Sequence, residues 1–564
     1  MNNQVSQLPG YIANAVPNPR SNRAPWYKNT APTYAGIFLW FVFWQESLKS
    51  GNLGGTLSHG ILIPLAALVV AAAICHYLFY LAPGMLGMKT GLPLYIVGTS
   101  TFGAQGGFLM PGFLMGILQF GWVGVNVCFS SLALAEVIPV PAKAIMVVWG
   151  ALACFVGLKG IQYVAKVATY LPLIPLVTLI VLVGATIGNV GHFDPKNLTT
   201  LHQTFLAANN LKPAGPALDA FTLFAVVVAN VVGFFATAGA AGVDFGMNNR
   251  DKRDVSMGGL VGVALAIILI AGAAALVIAG VYGSADLQVK ALEAGKTAKN
   301  GPGFILDAFN LIPVVLGPAA GKWVKFLLAV AAFPPACFSS FIAANCFKTT
   351  LPKVNPFISV GIGTVVSILL AWSGYAGDAA GKVFPIIGAS FGPICGAMMV
   401  DYLLNGKKWS GPRAGFNPAG WVAWAAGFVV GILPNLHSWK PDVFPTVPAA
   451  PVLAFVVGAV VYFLCAKMGM LSPVVPVGGA VAMNNEESRK VILTATSLRA
   501  QKQYDQCIKL MLDNLPQIDP DVRMNAWMEI FGAAKEKGDS ELARRAAREI
   551  ARDDPGLPSV QDYL

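Results

Sequence analysis

The stretch HGILIPLAALVVAAAICHYLFYLA, His59–Ala82, runs without a single Asp, Glu, Lys or Arg. It exceeds the roughly 20 residues a helix needs to cross the hydrocarbon core of a bilayer. GGLVGVALAIILIAGAAALVIAGV, Gly258–Val281, is a second such run. Working outward, apolar runs of this kind start near residues 33, 59, 107, 141, 161, 218, 256, 320, 355, 380, 416 and 447. The expected class is therefore an all-α polytopic membrane protein of about twelve transmembrane helices. Composition agrees: the 564 residues are 55% hydrophobic and 12% charged, with a mean hydropathy of +0.63. An ordinary soluble domain carries roughly 25% charged residues. Sixty glycines and 38 prolines suit transmembrane helices, which tolerate both.

The net charge of +11 suggests nucleic acid at first sight, but the basic residues lie in short connections and tails. With the N-terminus inside, the inner connections carry Lys89; Lys159; Arg250, Lys252 and Arg253; Lys348 and Lys353; and Lys407, Lys408 and Arg413. The N-terminal tail adds Arg20, Arg23 and Lys28, whereas Lys290, Lys296 and Lys299 sit in an opposite connection mixed with acids. Positive charge concentrates on cytoplasmic connections. The expected partner is thus a lipid bilayer, the plasma (bacterial inner) membrane, with both termini cytoplasmic and no nucleic acid bound. The first 30 residues are polar and proline-rich and show no cleavable signal peptide.

Four segments are expected: a cytoplasmic tail over 1–30, a membrane domain over 31–471, a Pro/Gly linker over 472–483 and a small cytosolic helical region over 484–564. Within the last, QYDQCIKLMLDNLPQIDP and GDSELARRAAREIARDDPG read as amphipathic helices closed by Pro or Gly. This region is either a plain appendage or a module that binds a cytosolic protein.

Catalytic and metal patterns fail on inspection. The eight cysteines are scattered without ligand spacing and read as small apolar core residues, so no metal and no cofactor is expected. GASFG, Gly388–Gly392, matches G-x-S-x-G, but it lies in an apolar helix and not at a strand-to-helix elbow. GPAAGKW, Gly317–Trp323, has the wrong spacing for a phosphate loop. No enzyme is expected. His76, mid-span, reads as a hydrogen-bonded structural histidine.

The first span is the anomaly. TYAGIFLWFVF is followed by FWQESLKSGNLGG, Phe43–Gly55, which places Glu46 and Lys49 and then three glycines where a membrane helix should continue. Intramembrane charge is expensive and glycine weakens a helix. Either Glu46 and Lys49 form a solvated pair at the membrane surface, or the helix is broken and Glu46 faces an internal cavity. A comparable interruption, GFFATAGAAG, lies in the sixth span, five spans later. Broken helices at corresponding positions of two halves mark a transporter's binding site.

The segment GMKTGLPLYIVGTSTFGAQGGFLMPGFLMGILQFGWVGVNV, Gly87–Val127, resembles the nucleobase:cation symporter-1 family, in particular its cytosine permease branch. The resemblance continues, in order, at GFFATAGAAGVDF (233–245), TLPKVN (350–355) and GPICGAMMVDYLL (392–404), and spans about residues 30–470. It implies a LeuT-type fold, two inverted five-helix repeats with helices 1 and 6 broken. It also implies a secondary transporter that imports a cytosine-like nucleobase by alternating access.

Carried over residue by residue, the resemblance makes Gln119 and Trp122 of the third span the base-binding pair. The spacing i,i+3 puts them on one helix face. An indole offers a flat π surface, and an amide offers both a donor and an acceptor. The plainer reading of Trp122 is a packing residue between helices. In the sixth helix Phe235 and Thr237 are the matching positions, with Gly233 and Phe234 flanking the break, and Gln45 and Glu46 line the site from span 1.

The family's eighth helix supplies hydroxyls to a sodium site; here the matching residues are Phe333, Pro334 and Pro335, and Ser339 takes the place of a substrate-binding Asn. Ser340 and Asn345 compensate only in a shifted register, and Thr99 replaces a family Arg. The coupling ion is therefore H+ or Na+, with a proton as the natural replacement. Glu46 and Lys166 are the candidate carriers beside Trp40 and Phe43, although Lys166 also reads as a residue snorkelling to the cytoplasmic side. Asp244 is expected to cap the cytoplasmic part of the sixth span. Two other functions stay open: a carrier of an amine or amino acid recognised by Glu46, and a transport-inactive sensor signalling through its C-terminal region.

Overall fold

A computed structural model describes residues 8–13, 15–28, 44, 48, 50–159, 171, 173–298, 301–351, 353–475, 485–515, 518–554 and 556–564. Helices dominate, and extended pairing among the described residues is confined to two isolated bridges, Ala24↔Asn249 and Asn52↔Gly215. The chain divides into two units: Ala24–Pro473, and Met1–Arg23 together with Val474–Leu564.

In the larger unit nine described helices are long and apolar enough to cross a membrane, and Ala142–Leu158 and Pro356–Trp372 are shorter apolar helices. In chain order they give the second span, Leu62–Thr90; third, Phe108–Val137; fourth, Ala142–Leu158; fifth, Leu173–His192; and sixth, Ala220–Ala240. The seventh is Lys252–Tyr282, the eighth Pro318–Lys348, the ninth Pro356–Trp372, the tenth Gly381–Leu404, the eleventh Pro418–Trp439 and the twelfth Ala450–Lys467. Of the first span only Trp44 and Leu48 are described, and both are buried.

Local chemistry sets the ends. Asp219 accepts hydrogen bonds from the N–H groups of Phe221 and Thr222 at 3.0 and 3.1 Å and starts the sixth span. Asp251 starts the seventh by accepting from Asp254 N at 2.8 Å. Four of the described spans contain wide π-type turns: Cys75–Tyr80, Phe108–Phe113, Leu260–Leu265 and Ala379–Val383. Pro111 explains one of them, because it has no N–H to donate. Such turns are frequent at functional sites.

Two features of the sixth and eighth spans bear on the site. The sixth helix runs unbroken through Gly233 and Phe234 to Ala240, and its interruption comes at Ala241, before the short helix Gly242–Gly246. Gly233 and Phe234 therefore do not flank a break, contrary to the sequence expectation. Gly233 instead lets the tenth span approach: a β-carbon there would lie 2.8 Å from the Phe384 carbonyl oxygen. The eighth span is kinked at Ala332, between Pro318–Ala331 and Phe333–Thr350, with Pro334 and Pro335 opening the second piece. The proline pair cannot donate to the carbonyls of Val330 and Ala331 one turn earlier.

A buried polar network holds the segment between the second and third spans against the tenth and twelfth. The Asp401 carboxylate accepts from Ser100 Oγ at 2.7 Å and Tyr462 OH at 2.8 Å, with the Arg413 guanidinium 3.5 Å away. Arg413 also donates to the carbonyls of Ser100 and Ser472 at 2.9 and 3.0 Å. Each charge is paired and hydrogen-bonded, the condition for tolerating it inside a protein.

Among its described residues the smaller unit has four helices longer than ten residues, α1 (Asn485–Ala500), α2 (Tyr504–Asn514), α3 (Arg523–Lys537) and α4 (Ser540–Asp553). Each packs on its neighbour in sequence around a core that includes Ala495, Met511, Ile530, Ala547 and Ile550. From the N-terminal segment, Arg20 forms an ion pair with Asp521 at 3.2 Å.

Candidate functional site

Gln119 and Trp122 lie on one buried face of the third span, 2% and 5% exposed. The Trp122 indole N–H donates to Thr237 Oγ1 of the sixth span at 3.1 Å. This bond fixes the indole plane and joins the two spans. The Trp122 ring meets Phe234 edge-on, centroids 4.6 Å apart at 77°, and lies 5.6 Å from Phe384 at 35°. Phe234 and Phe384 close the triangle at 5.4 Å and 84°. Three rings from the third, sixth and tenth spans thus form one aromatic cluster in orientations that aromatic quadrupoles favour.

Phe384 escaped the sequence reading. It precedes Gly388–Gly392, a stretch that drew notice only as a rejected hydrolase pattern. No local signal ties it to Trp122, because the tenth span reaches the site by long-range packing on Gly233.

Beside the cluster, Gln119 donates, among the described residues, only to the Met115 sulfur, at 3.3 Å. Its carbonyl oxygen is buried and has no partner among the described residues. Buried polar atoms are ordinarily satisfied. An amide whose oxygen is unmet, next to three aromatic rings, is equipped to accept a hydrogen bond from a planar ligand's edge. One turn further along, Asn126 donates to the Trp122 carbonyl at 2.9 Å.

The other expected residues distribute as follows. Thr237 joins the cluster as the indole's acceptor. Phe235 is fully buried, its ring 6.0 Å from Phe234. Ser339 is buried in the eighth span, which packs on the third. Ser340 donates to the Cys154 carbonyl at 3.3 Å and so faces the fourth span. Phe333 packs edge-on against Trp149 at 4.9 Å. Trp40, Phe43, Gln45, Glu46, Lys49, Lys166 and the side chain of Asn345 lie outside the described residues. Asp244 departs from expectation: its carboxylate accepts from Leu94 N at 3.1 Å and caps the short helix Leu94–Val97, not the sixth span. The reason is the break at Ala241, which turns Gly242–Gly246 toward the segment between the second and third spans. Among the described residues no group of His, Cys, Asp and Glu is arranged to hold a metal.

No protein-family profile matches the chain. Its sequence is 24% identical over 458 residues to the cytosine permease of Escherichia coli strain K12, covering 81% of this chain and 94% of the relative. The cytosine permease of Escherichia coli O157:H7 is 25% identical over the same coverage. Two solved structures share the fold at 16% identity. Mhp1 in an inward-facing conformation superposes with a TM-score of 0.53 over 81% of this chain and 96% of the other. Mhp1, a nucleobase-cation-symport-1 family transporter, closed with bromovinylhydantoin bound, superposes at 0.52 over 80% and 94%. The chain is thus similar in sequence to cytosine permeases and shares its fold with a nucleobase-cation-symport-1 family transporter. The nine described apolar spans and the shared fold make it a multi-pass membrane protein with the LeuT-type fold. The span order places the aromatic cluster where the third, sixth and tenth helices meet.

Proposed function

We propose that the protein is a secondary transporter that imports a nucleobase or related planar heterocycle by alternating access, with the aromatic cluster around Trp122 as its recognition surface. The observation that carries this reading is the Trp122 ring, held by Thr237 and flanked by Phe234 and Phe384, with the unmet Gln119 carbonyl oxygen beside it. A heterocycle needs this pair of features: a flat apolar face and a hydrogen-bonding edge.

Coupling to a proton and not to sodium fits the eighth span. Phe333, Pro334 and Pro335 carry no side-chain oxygen, and sodium requires several oxygen ligands. Glu46 and Lys166 are the proton carriers this reading names. The basic connections support cytoplasmic termini in a plasma membrane, with the helices of 484–564 on the cytoplasmic side as a docking module for a cytosolic protein.

Equilibrium binding of radiolabelled cytosine to the purified protein tests the site. The parent protein binds, and Trp122→Ala weakens binding about 5- to 150-fold, the equivalent of a lost base–aromatic stack of ~1–3 kcal/mol. Gln119→Leu weakens it by a similar or smaller factor. Cytosine binding that ignores both substitutions contradicts the assignment. Binding of an amine that disappears in Glu46→Gln, with none of cytosine, favours the carrier of an amine or amino acid.

A further inference from the structure

On the face that carries the connections between the third and fourth spans and between the seventh and eighth, one lysine stands inside the apolar end of a span. Lys325, about two turns into the eighth span, is 3% exposed. Its ammonium lies 2.8 Å from Glu136 Oε2 at the end of the third span. It also donates to Asn310 Oδ1 at 3.2 Å and sits 4.7 Å above the centre of the Phe309 ring. Phe309 in turn meets Trp44 of the first span edge-on at 6.3 Å. A charge in this position is costly unless paired, and three partners from two elements surround it.

These contacts do more than neutralise a lysine. Residues 303–311 contain no helix, so their backbone is not committed to a hydrogen-bonded ladder. Asp307 and Asn310 close a local turn, Asn310 N donating to Asp307 at 2.7 Å, and Tyr282 OH donates to the Ile305 carbonyl at 2.6 Å. The end of the segment that lies over the first, third and eighth spans is anchored through Asn310 and Phe309 to the Lys325 ammonium. A segment held by side-chain contacts opens far more readily than a helix, whose whole ladder must break.

Beneath it the third span presents Glu136, Ala133, Asn126, Trp122 and Gln119 within one 120° sector of the helix wheel, a stripe leading to the aromatic cluster. Ala133, one turn below Glu136, has no exposed surface.

We propose that Lys325 is the clasp of a cap, residues 303–311, that closes the route between this face and the Trp122 cluster. Glu136 holds the ammonium in place, and Asn310 and Phe309 are the parts of the cap it holds. Release of the clasp lifts the cap and opens the stripe on the third span to water. The inference rests on the transport reading for its purpose, but not for its test.

The test uses the full chain in lipid nanodiscs, with the rate of labelling by a hydrophilic maleimide at A133C as the readout and the protein lacking A133C as the background control. In the otherwise parental protein A133C labels slowly. With K325M it labels about tenfold faster, the size of shift typical of coupled conformational equilibria. The double variant K325M/E136L removes the orphaned carboxylate as well, and it also labels fast, because the clasp is still absent. Equal rates in all three proteins overturn the proposal. Fast labelling in K325M with slow labelling in K325M/E136L overturns it too, since an unpaired Glu136, and not the lost clasp, would then be the cause. No substrate is present, so failure of cytosine binding leaves this result unaffected, and failure here leaves the binding site untouched.

Discussion

At the residue scale the site is built on one hydrogen bond. Trp122 is large and buried, and its single donor is met by Thr237 Oγ1 at 3.1 Å. Replacing Thr237 by valine keeps the shape and removes the acceptor. A buried indole N–H left unsatisfied costs ~1–3 kcal/mol. Thr237→Val therefore lowers the thermal midpoint of the purified protein below that of Thr237→Ser, which keeps the hydroxyl, and weakens cytosine binding as the indole loses its fixed plane. Equal midpoints and equal affinities would remove Thr237 from the account. Gln119 and Trp122 were singled out by the resemblance of the third-span motif, and their i,i+3 spacing is consistent with the shared face they occupy. Phe384 was not legible, since an aromatic at the start of an apolar span has no distinguishing neighbour in sequence. Lys325 was equally hidden: in GKWVKFLLAV it reads as an ordinary lysine near a membrane surface, and only the fold brings Glu136 and Asn310 to it.

At the element scale, glycine decides where the helices can meet. A β-carbon at Gly87 in the second span would overlap the Val243 carbonyl, and one at Gly246 would overlap that of Gly84. The second span and the short helix Gly242–Gly246 thus touch backbone to backbone. Gly87→Leu forces them apart, a change of the overpacking class that costs ~1–3 kcal/mol or more. The expected result is a marked loss of monodisperse protein in size-exclusion chromatography. A wild-type profile would show that the contact is dispensable. The starts of the spans followed from apolar run length, whereas the capping role of Asp219 came only with the structure. The position of the sixth-span interruption did not follow. GFFATAGAAG holds three glycines, and sequence alone cannot tell a glycine that breaks a helix from one, like Gly233, that admits a neighbour. In the smaller unit α2 and α4 were legible from their amphipathic patterns. α1 and α3 were not, because NEESRKVILTATSLRA mixes β-branched and polar residues around a narrow buried stripe.

At the scale of the whole larger unit, distant connections are tied together by buried polar groups. His202, in the helix Pro195–Ala208, accepts a hydrogen bond at Nδ1 from Gly54 N at 3.1 Å, and its ring stacks on Phe304 at 4.4 Å. The bond requires Nδ1 to be unprotonated, and burial lowers the pKa of the ring from 6.5. Below pH 6.5 the unfolded chain takes up a proton that the folded state resists, so stability falls with acidification until the folded-state pKa is passed. His202→Gln has no proton to gain. The thermal midpoint of the parent protein should therefore fall more steeply between pH 7 and pH 5 than that of His202→Gln. Parallel pH profiles would show that His202 does not contribute.

The central claim is that a planar heterocycle crosses the membrane by way of the Trp122 cluster. Uptake of radiolabelled cytosine into vesicles containing the purified protein, at matched sodium and at two external pH values, with Trp122→Ala alongside, tests it most directly. The account predicts uptake that is lost in Trp122→Ala, indifferent to sodium and greater on the acid side. No uptake above protein-free vesicles by correctly folded protein, or uptake that survives Trp122→Ala, would contradict it.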